Sequence, residues 1–411
     1  MEFRVADALR VGAALAVGSL GFIGVASGAG AEAITVTMPL HVTPVLVGSN
    51  LSHTFTPVLT TAPLNVGTPQ VPTTRSAPLT NIDDLTQLGS DFFVVFQNGV
   101  GPNGEVSATG NADSTVVEFT ASGHVLGQWD VAGRTDGLVA DPQRGGVIVT
   151  VNEDSNSSLF VIEPAAPSAQ QVTHYVYGAP LAHGGGTDSL AIVDGQLLIT
   201  ASNPGTSSLS APNATFPAVY VASLNAATQV ASLSPFFSDE DVASVANGGS
   251  GYGAKVNLAL TDPDSSVVVP RAASRFAGDF ELTSQGDQQE IFVSRPGTAH
   301  QKLSVLSLTQ SVDDTAYATD HDGSLMATDA ASNAVDVITG WLSTSLAYAV
   351  ATPCSANSAT SSCAANFLGT LNLWNGTVTP VATTGAAFAP KGALIFVGDD
   401  ASRSTVEHSR H

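Results

Sequence analysis

The sequence predicts an all-β chain folded as a β-propeller of six four-stranded blades, with five or seven as the alternatives. Three observations point there. From Asn81 onward, short apolar runs rich in β-branched residues alternate with Asn-Gly, Asp-Gly and Ser-Gly turns. No long stretch keeps a helical period. Similar units also recur: Asp84 to Asp136 and Asp136 to Asp188 both span 52 residues (136 − 84 and 188 − 136), a period that fits four short strands and their turns. A blade cannot bury both faces alone, so the ring must close, and a terminal strand paired with the other end of the chain would close it.

The elements follow in order. Residues 1–33 read as a secretory signal, with Arg4 and Arg10 ahead of an apolar stretch over 11–29 and a small-x-small site at Ala31-Glu32-Ala33. An uncleaved membrane anchor is the alternative, because the stretch is near spanning length. Residues 34–80 are rich in Thr, Val and Pro and predict an extended linker, a clamp over the domain, or one edge strand. The propeller itself covers 81–398, and 399–411 is a polar tail. Its first three units are opened by Asp84, Asp136 and Asp188. Aligning Asp141 with Asp262 makes Asn257 the opener of the fourth, after insertions near 204–217 and 238–254. The fifth opens at "VDDTAYAT", and the sixth is assembled after Trp341, ending in "FAPKGALIFV".

Composition narrows the partners. The chain has 35 acidic against 13 basic residues and a net charge of −22. Losing residues 1–33, with two basic and three acidic side chains, leaves −21 (−22 − 2 + 3). Nucleic acid and anionic membranes both need a basic footprint, so neither is expected as a partner. No later stretch predicts a membrane span in the mature chain. Cys354 and Cys363, the only cysteines, predict one disulfide in an exported protein.

"VNEDSNSSLFVI" (151–162) and "ATDAASNAVDVI" (327–338) resemble the strand–acidic turn–strand core of NHL repeats, and "VVEFTASGHVLGQWD" (116–130) is similar to their outer hairpin. The resemblance is to the broad NHL and gluconolactonase-like class of six-bladed propellers. It implies the fold. In gluconolactonase-like enzymes it also implies a channel metal held by carboxylate and Asn side chains, but no motif here carries those ligands over one by one.

In a propeller the first strand of each blade lines the channel, so a residue at its start lies near one mouth. Asp84, Asp136, Asp188, Asn257 and Asp314 are therefore the candidate ring of oxygen ligands, and Ca²⁺ is the cation such a ring would take. The competing reading is that each Asp caps a turn through backbone N–H groups. Asn98, Asn152, Asn203 and Asp329 follow the second strands and read as turn residues. His183-Gly184-Gly185-Gly186 lacks the nucleophile elbow that an esterase requires and reads as a loop. "TDHDGS" (319–324) lacks a full calcium-loop ligand series and reads as a turn. The expectation is a secreted, monomeric propeller that binds an extracellular ligand or protein. The alternatives are a metal-dependent hydrolase or lactonase and a structural protein of the cell envelope.

Overall fold

The computed structural model describes residues 38–58, 73–205, 215–354, 363 and 366–398. The signal-peptide and C-terminal-tail expectations fall outside these residues. Among the described residues six blades stand around a central axis, and blades 2 and 3 are joined at their outer strands into one eight-stranded sheet. Blade 1 runs outward through Ile82–Leu88, Asp91–Phe96, Asp113–Thr120 and Val125–Ala132. Blade 2 is Thr135–Asp141, Gly146–Val151, Ser158–Ile162 and Val172–Tyr177, and blade 3 is Thr187–Val193, Gln196–Ala201, Pro217–Asn225 and Val230–Ser238. Blade 4 has Pro263–Val268 innermost, then Phe280–Ser284, Gln289–Ser294 and Lys302–Ser307. The insertion before it adds Val242–Val245 and Lys255–Asn257 to its outer edge.

Six apolar clusters occupy the six blade-to-blade contacts, which establishes the count and the closure. Phe93 and Val95 meet Val147 and Val149 between blades 1 and 2. Leu159 meets Ile199 between blades 2 and 3, and Leu198 meets Leu282 between 3 and 4. Phe292 meets Val312 between 4 and 5, Val350 meets Leu325 between 5 and 6, and Met326 meets Phe96 between 6 and 1. Each blade is thus buried on both faces. That is why "DFFVVF" is an unbroken apolar run: Phe92, Val94 and Phe96 face blade 6 while Phe93 and Val95 face blade 2.

Blades 5 and 6 are built differently from the sequence expectation. Ser311–Tyr317 opens blade 5, but the chain then crosses to blade 6 for Ser324–Asp329 and Ala334–Thr339. It returns to complete blade 5 with Ala347–Thr352, Phe367–Leu371 and Val378–Pro380. Blade 6 takes Leu394–Val397 as its inner strand, and Leu40–Val47 joins Ala334–Thr339 antiparallel and Thr383–Gly385 in parallel. Alternation makes a segment a strand but does not choose its neighbour. The N-terminal strand therefore closes the ring. Asp320 Oδ1 accepts the N–H groups of Asp322 and Gly323, so "TDHDGS" is a turn within the crossover.

Cys354 and Cys363 are bonded to each other, with Cα atoms 5.2 Å apart. The bond joins residues nine positions apart in sequence, a short loop, so reduction should cost roughly 2–3 kcal/mol at most. Calorimetry with and without reductant should show a small drop in melting temperature and no change in cooperativity. Loss of the cooperative transition would mean that the bond holds more than its own loop.

Candidate functional site

The inner strands of five blades share one irregularity. Their pairing with the second strand slips between Ile82 and Leu85, Thr135 and Leu138, Thr187 and Leu190, Pro263 and Ser265, and Val312 and Asp314. Such bulges re-aim side chains. The residues re-aimed are Asp83, Asp136, Asp188, Asp264 and Asp313, and all five line a central cavity of about 920 Å³. In blade 6 the corresponding position is Gly392, at φ 95°. A Cβ there would lie 2.6 Å from Thr328 Oγ1 and 2.7 Å from the carbonyl oxygen of Asp83, so only glycine fits.

Two glutamines tie the ring in pairs. Gln97 Nε2 donates to Asp83 Oδ2 at 2.8 Å and to Asp136 Oδ1 at 3.3 Å. Gln285 Nε2 donates to Asp264 Oδ2 at 3.4 Å and to Asp313 Oδ1. Gly392 N–H donates to Asp313 Oδ2. Arg134 is 3.6 Å from Asp136 and also pairs with Glu153. Lys391 is the other basic residue of the lining. Among the described residues Asp136 Oδ2 has no hydrogen-bond partner, although the residue is only 6% exposed.

Too many acids face too few bases. Burial pushes Asp83 up to about 7, opposed by Arg134. It drives Asp136, Asp188 and Asp264 well above the usual carboxylate range, reinforced by neighbouring acids. Asp313 is raised by burial against its hydrogen bonds, and burial and Asp287 lift Asp262, at the same mouth, to about 6. Near neutral pH the ring therefore retains protons.

Among the sequence candidates, Asp136 and Asp188 belong to the ring. Asp84 and Asp314 line the same cavity but act as clips between blades. Asp84 accepts Leu85 N–H at 2.7 Å and, from blade 2, Leu138 N–H at 2.5 Å. Asp314 accepts Thr315 N–H and, from blade 6, Leu394 N–H, both at 2.7 Å. Asn257 does not open blade 4. It is exposed and pairs with Val242 in the added outer hairpin, and Asp264 takes the ring position. The insertion displaced the alignment. Asn98 Oδ1 and Asn152 Oδ1 accept Thr80 N–H and Arg134 N–H at 3.1 and 3.0 Å, and Asp329 Oδ1 accepts Ala331 N–H at 2.9 Å. Asn203 adopts φ 54° at the cavity rim. His183 is buried and bonds Tyr220 Oη and the Gly186 carbonyl at 3.2 and 3.1 Å.

Sequence reasoning missed Asp83, Asp264 and Asp313. Their signal is a short pattern, Ile-Asp-Asp-Leu, Thr-Asp-Gly-Leu, Thr-Asp-Ser-Leu, Pro-Asp-Ser-Ser and Val-Asp-Asp-Thr, whose second residue is always the ring Asp. Among the described residues no group of three or more His, Cys, Asp or Glu is gathered so as to hold a metal ion.

No family model matches the chain. No curated protein matches it either. Solved structures do. The nidogen/laminin complex aligns at 9% identity over 87% of this chain and 98% of that one, with TM-score 0.44. The periplasmic gluconolactonase of Pseudomonas aeruginosa aligns at 12% identity over 80% and 92%, with TM-score 0.43. A putative 6-phosphogluconolactonase from Bacteroides uniformis aligns at 12% identity over 78% and 91%, with TM-score 0.39. These are likenesses of chain trace, and the propeller assignment rests on the six blade contacts described above.

Proposed function

We propose that the protein is an extracellular binding propeller whose acidic channel mouth receives a cationic ligand. One observation carries the reading: five bulged Asp side chains line one cavity, and Asp136 within that ring keeps an oxygen without a hydrogen-bond partner among the described residues. A cleft lined by one sign of charge focuses its field and concentrates counter-ions. Carboxylate oxygens suit a hard cation such as Ca²⁺. The ring residues sit on separate blades and are not gathered round one point, so a cation that keeps part of its water fits this mouth better than one stripped and chelated. Asp136, Asp188 and Asp264 are the residues that would face it. The disulfide supports an oxidising, extracellular compartment. A metal-dependent hydrolase would require protein ligands converging on a single ion.

Thermal denaturation at pH 8 tests the reading. Calcium should raise the melting temperature, by the equivalent of about 2.7 kcal/mol at a hundredfold excess over its dissociation constant. A chelator should remove the gain, and Asp136→Asn or Asp188→Asn should shrink it. The response should weaken toward pH 6, because protons then compete for the same carboxylates. A transition indifferent to calcium and chelator at pH 8 would leave the ring with a folding role only.

A further inference from the structure

The contact between blades 4 and 5 is largely apolar. Phe292 and Leu306 of blade 4 pack on Val312, Ala347, Ala349 and Ala351 of blade 5. Within that contact lie Glu281 and Glu290, both with 0% of their surface exposed. Strand alternation puts them there. Phe280 and Leu282 turn toward blade 3, as do Ile291 and Val293 on the next strand. Glu281, Thr283 and Glu290 must then turn toward blade 5. Glu290 stands opposite Thr283 in the register, and Glu281 opposite Phe292, so the two carboxyls are diagonal neighbours.

Their hydrogen bonds span the two blades. From the inner strand of blade 5, Tyr317 Oη donates to Glu281 Oε2 at 2.5 Å and Thr315 Oγ1 donates to Glu290 Oε1 at 3.2 Å. Thr283 Oγ1 donates to Glu290 Oε2 at 2.9 Å. Among the described residues Glu281 Oε1 finds no protein donor. The other titratable groups acting here are Asp314 on the blade 5 strand, which is turned to blade 6 but acts on both carboxyls through its charge, and Asp279, which acts on Tyr317. All are acidic, and the facing strand Ala347–Thr352 contributes alanines. Two bare carboxylates with no cation beside them are untenable in such a place. A proton on one carboxyl gives the pair the donor it lacks.

We propose that Glu281 and Glu290 hold one proton between them at neutral pH, and that this proton locks blade 4 to blade 5, so that the contact loosens as the solution turns alkaline. The lock does not depend on what the channel binds. It reaches the channel wall nonetheless, because Thr315 and Tyr317 follow Asp314, the clip between blades 5 and 6.

The direction of the pH effect follows from burial. Burial lifts both carboxyls above the usual carboxylate range, and each charge raises the other, so the pair keeps a proton that an exposed carboxyl would have lost. Once the contact opens and water enters, both carboxyls return toward their ordinary range. The lock is therefore complete in mild acid and weakens as the solution turns alkaline. Between pH 6 and 8 the open population should grow about tenfold per pH unit.

Amide hydrogen exchange on the full chain, corrected for the intrinsic pH dependence of exchange, tests this. Protection of Gln289–Ser294 and Ser311–Tyr317 should fall about a hundredfold from pH 6 to pH 8 in the wild type. Glu281→Gln keeps an acceptor for Tyr317 and supplies a permanent N–H donor, so its protection should change far less. If that variant does not fold, Glu290→Gln serves with the same readout. A wild-type protection that does not vary with pH would overturn the proposal, as would the same slope in the glutamine variants. Infrared difference spectra provide a second measurement. Wild type minus Glu290→Gln at pH 7 should show the carbonyl stretch of a protonated carboxylic acid, and its absence would also overturn the proposal.

Discussion

A chain beginning at Leu51 should not fold as a cooperative monomer. The strand Leu40–Val47 lies between Ala334–Thr339 and Thr383–Gly385 in blade 6, paired with both. Its buried side chains reach two blade contacts: Leu40 and Val42 enter the cluster between blades 5 and 6, and Leu46 enters the one between 6 and 1. Each is worth about 1.5–3 kcal/mol of burial, and the ladder hydrogen bonds are lost with them. The sum rivals the 5–15 kcal/mol typical of a whole domain. Point substitutions separate this role from a general intolerance of the segment. Val42, at 1% exposure, changed to Asp would bury an unpaired charge, at a cost of about 4 kcal/mol or more. Thr43, exposed on the opposite face, changed to Asp should stay within about 0.5 kcal/mol. Circular dichroism melts and size-exclusion chromatography would check all three. A truncated chain with an unchanged transition would show that the ring closes without its N-terminal strand.

Much of this architecture was legible in the sequence, because strands and turns are written locally. The repeated Thr-Asp opening before an apolar run marks the inner strands of blades 2 and 3, and both Asp136 and Asp188 reach the channel. Partner choice was less legible. "GSLMATDAASNAVDVITG" has the alternation of any blade hairpin, but it pairs with Leu394–Val397 and Leu40–Val47, segments far away in sequence. Register was less legible still. The equal 52-residue spacing selected Asp84, but the bulge places Asp83 in the ring and turns Asp84 to the backbone of blade 2. A one-residue offset exchanges ligand for cap, and composition cannot detect it. Asn257 shows the same limit at larger scale, because an insertion that adds an outer hairpin shifted the apparent start of blade 4.

Stability should fall as pH rises from 5 to 8, and Asp83→Asn should flatten the fall. Asp83 ordinarily ionises near 3.8, and burial lifts it to about 7 in the folded chain. Asp314 is likewise lifted to about 7, despite its backbone hydrogen bonds. A group raised on folding keeps its proton in the native state while the unfolded chain has already released it. The folded state is then the better proton binder, and stability is lost as pH climbs from the unfolded value through the folded one. For Asp83 alone the interval from pH 5 to 7 corresponds to about 3 kcal/mol, and less to the extent that the channel admits water. The ring acids titrate as a coupled set, so their separate losses do not add. Urea denaturation at pH 5, 6, 7 and 8 in the presence of chelator would measure the slope. A cation at the mouth acts in the opposite direction, replacing the protons that the ring gives up, so added calcium should restore stability most at pH 8 and least at pH 5. Stability that is flat or rising over this interval without calcium would mean that water solvates the ring carboxylates well enough to ionise them all, and the electrostatic drive for a cation at the mouth would then disappear with the pH dependence.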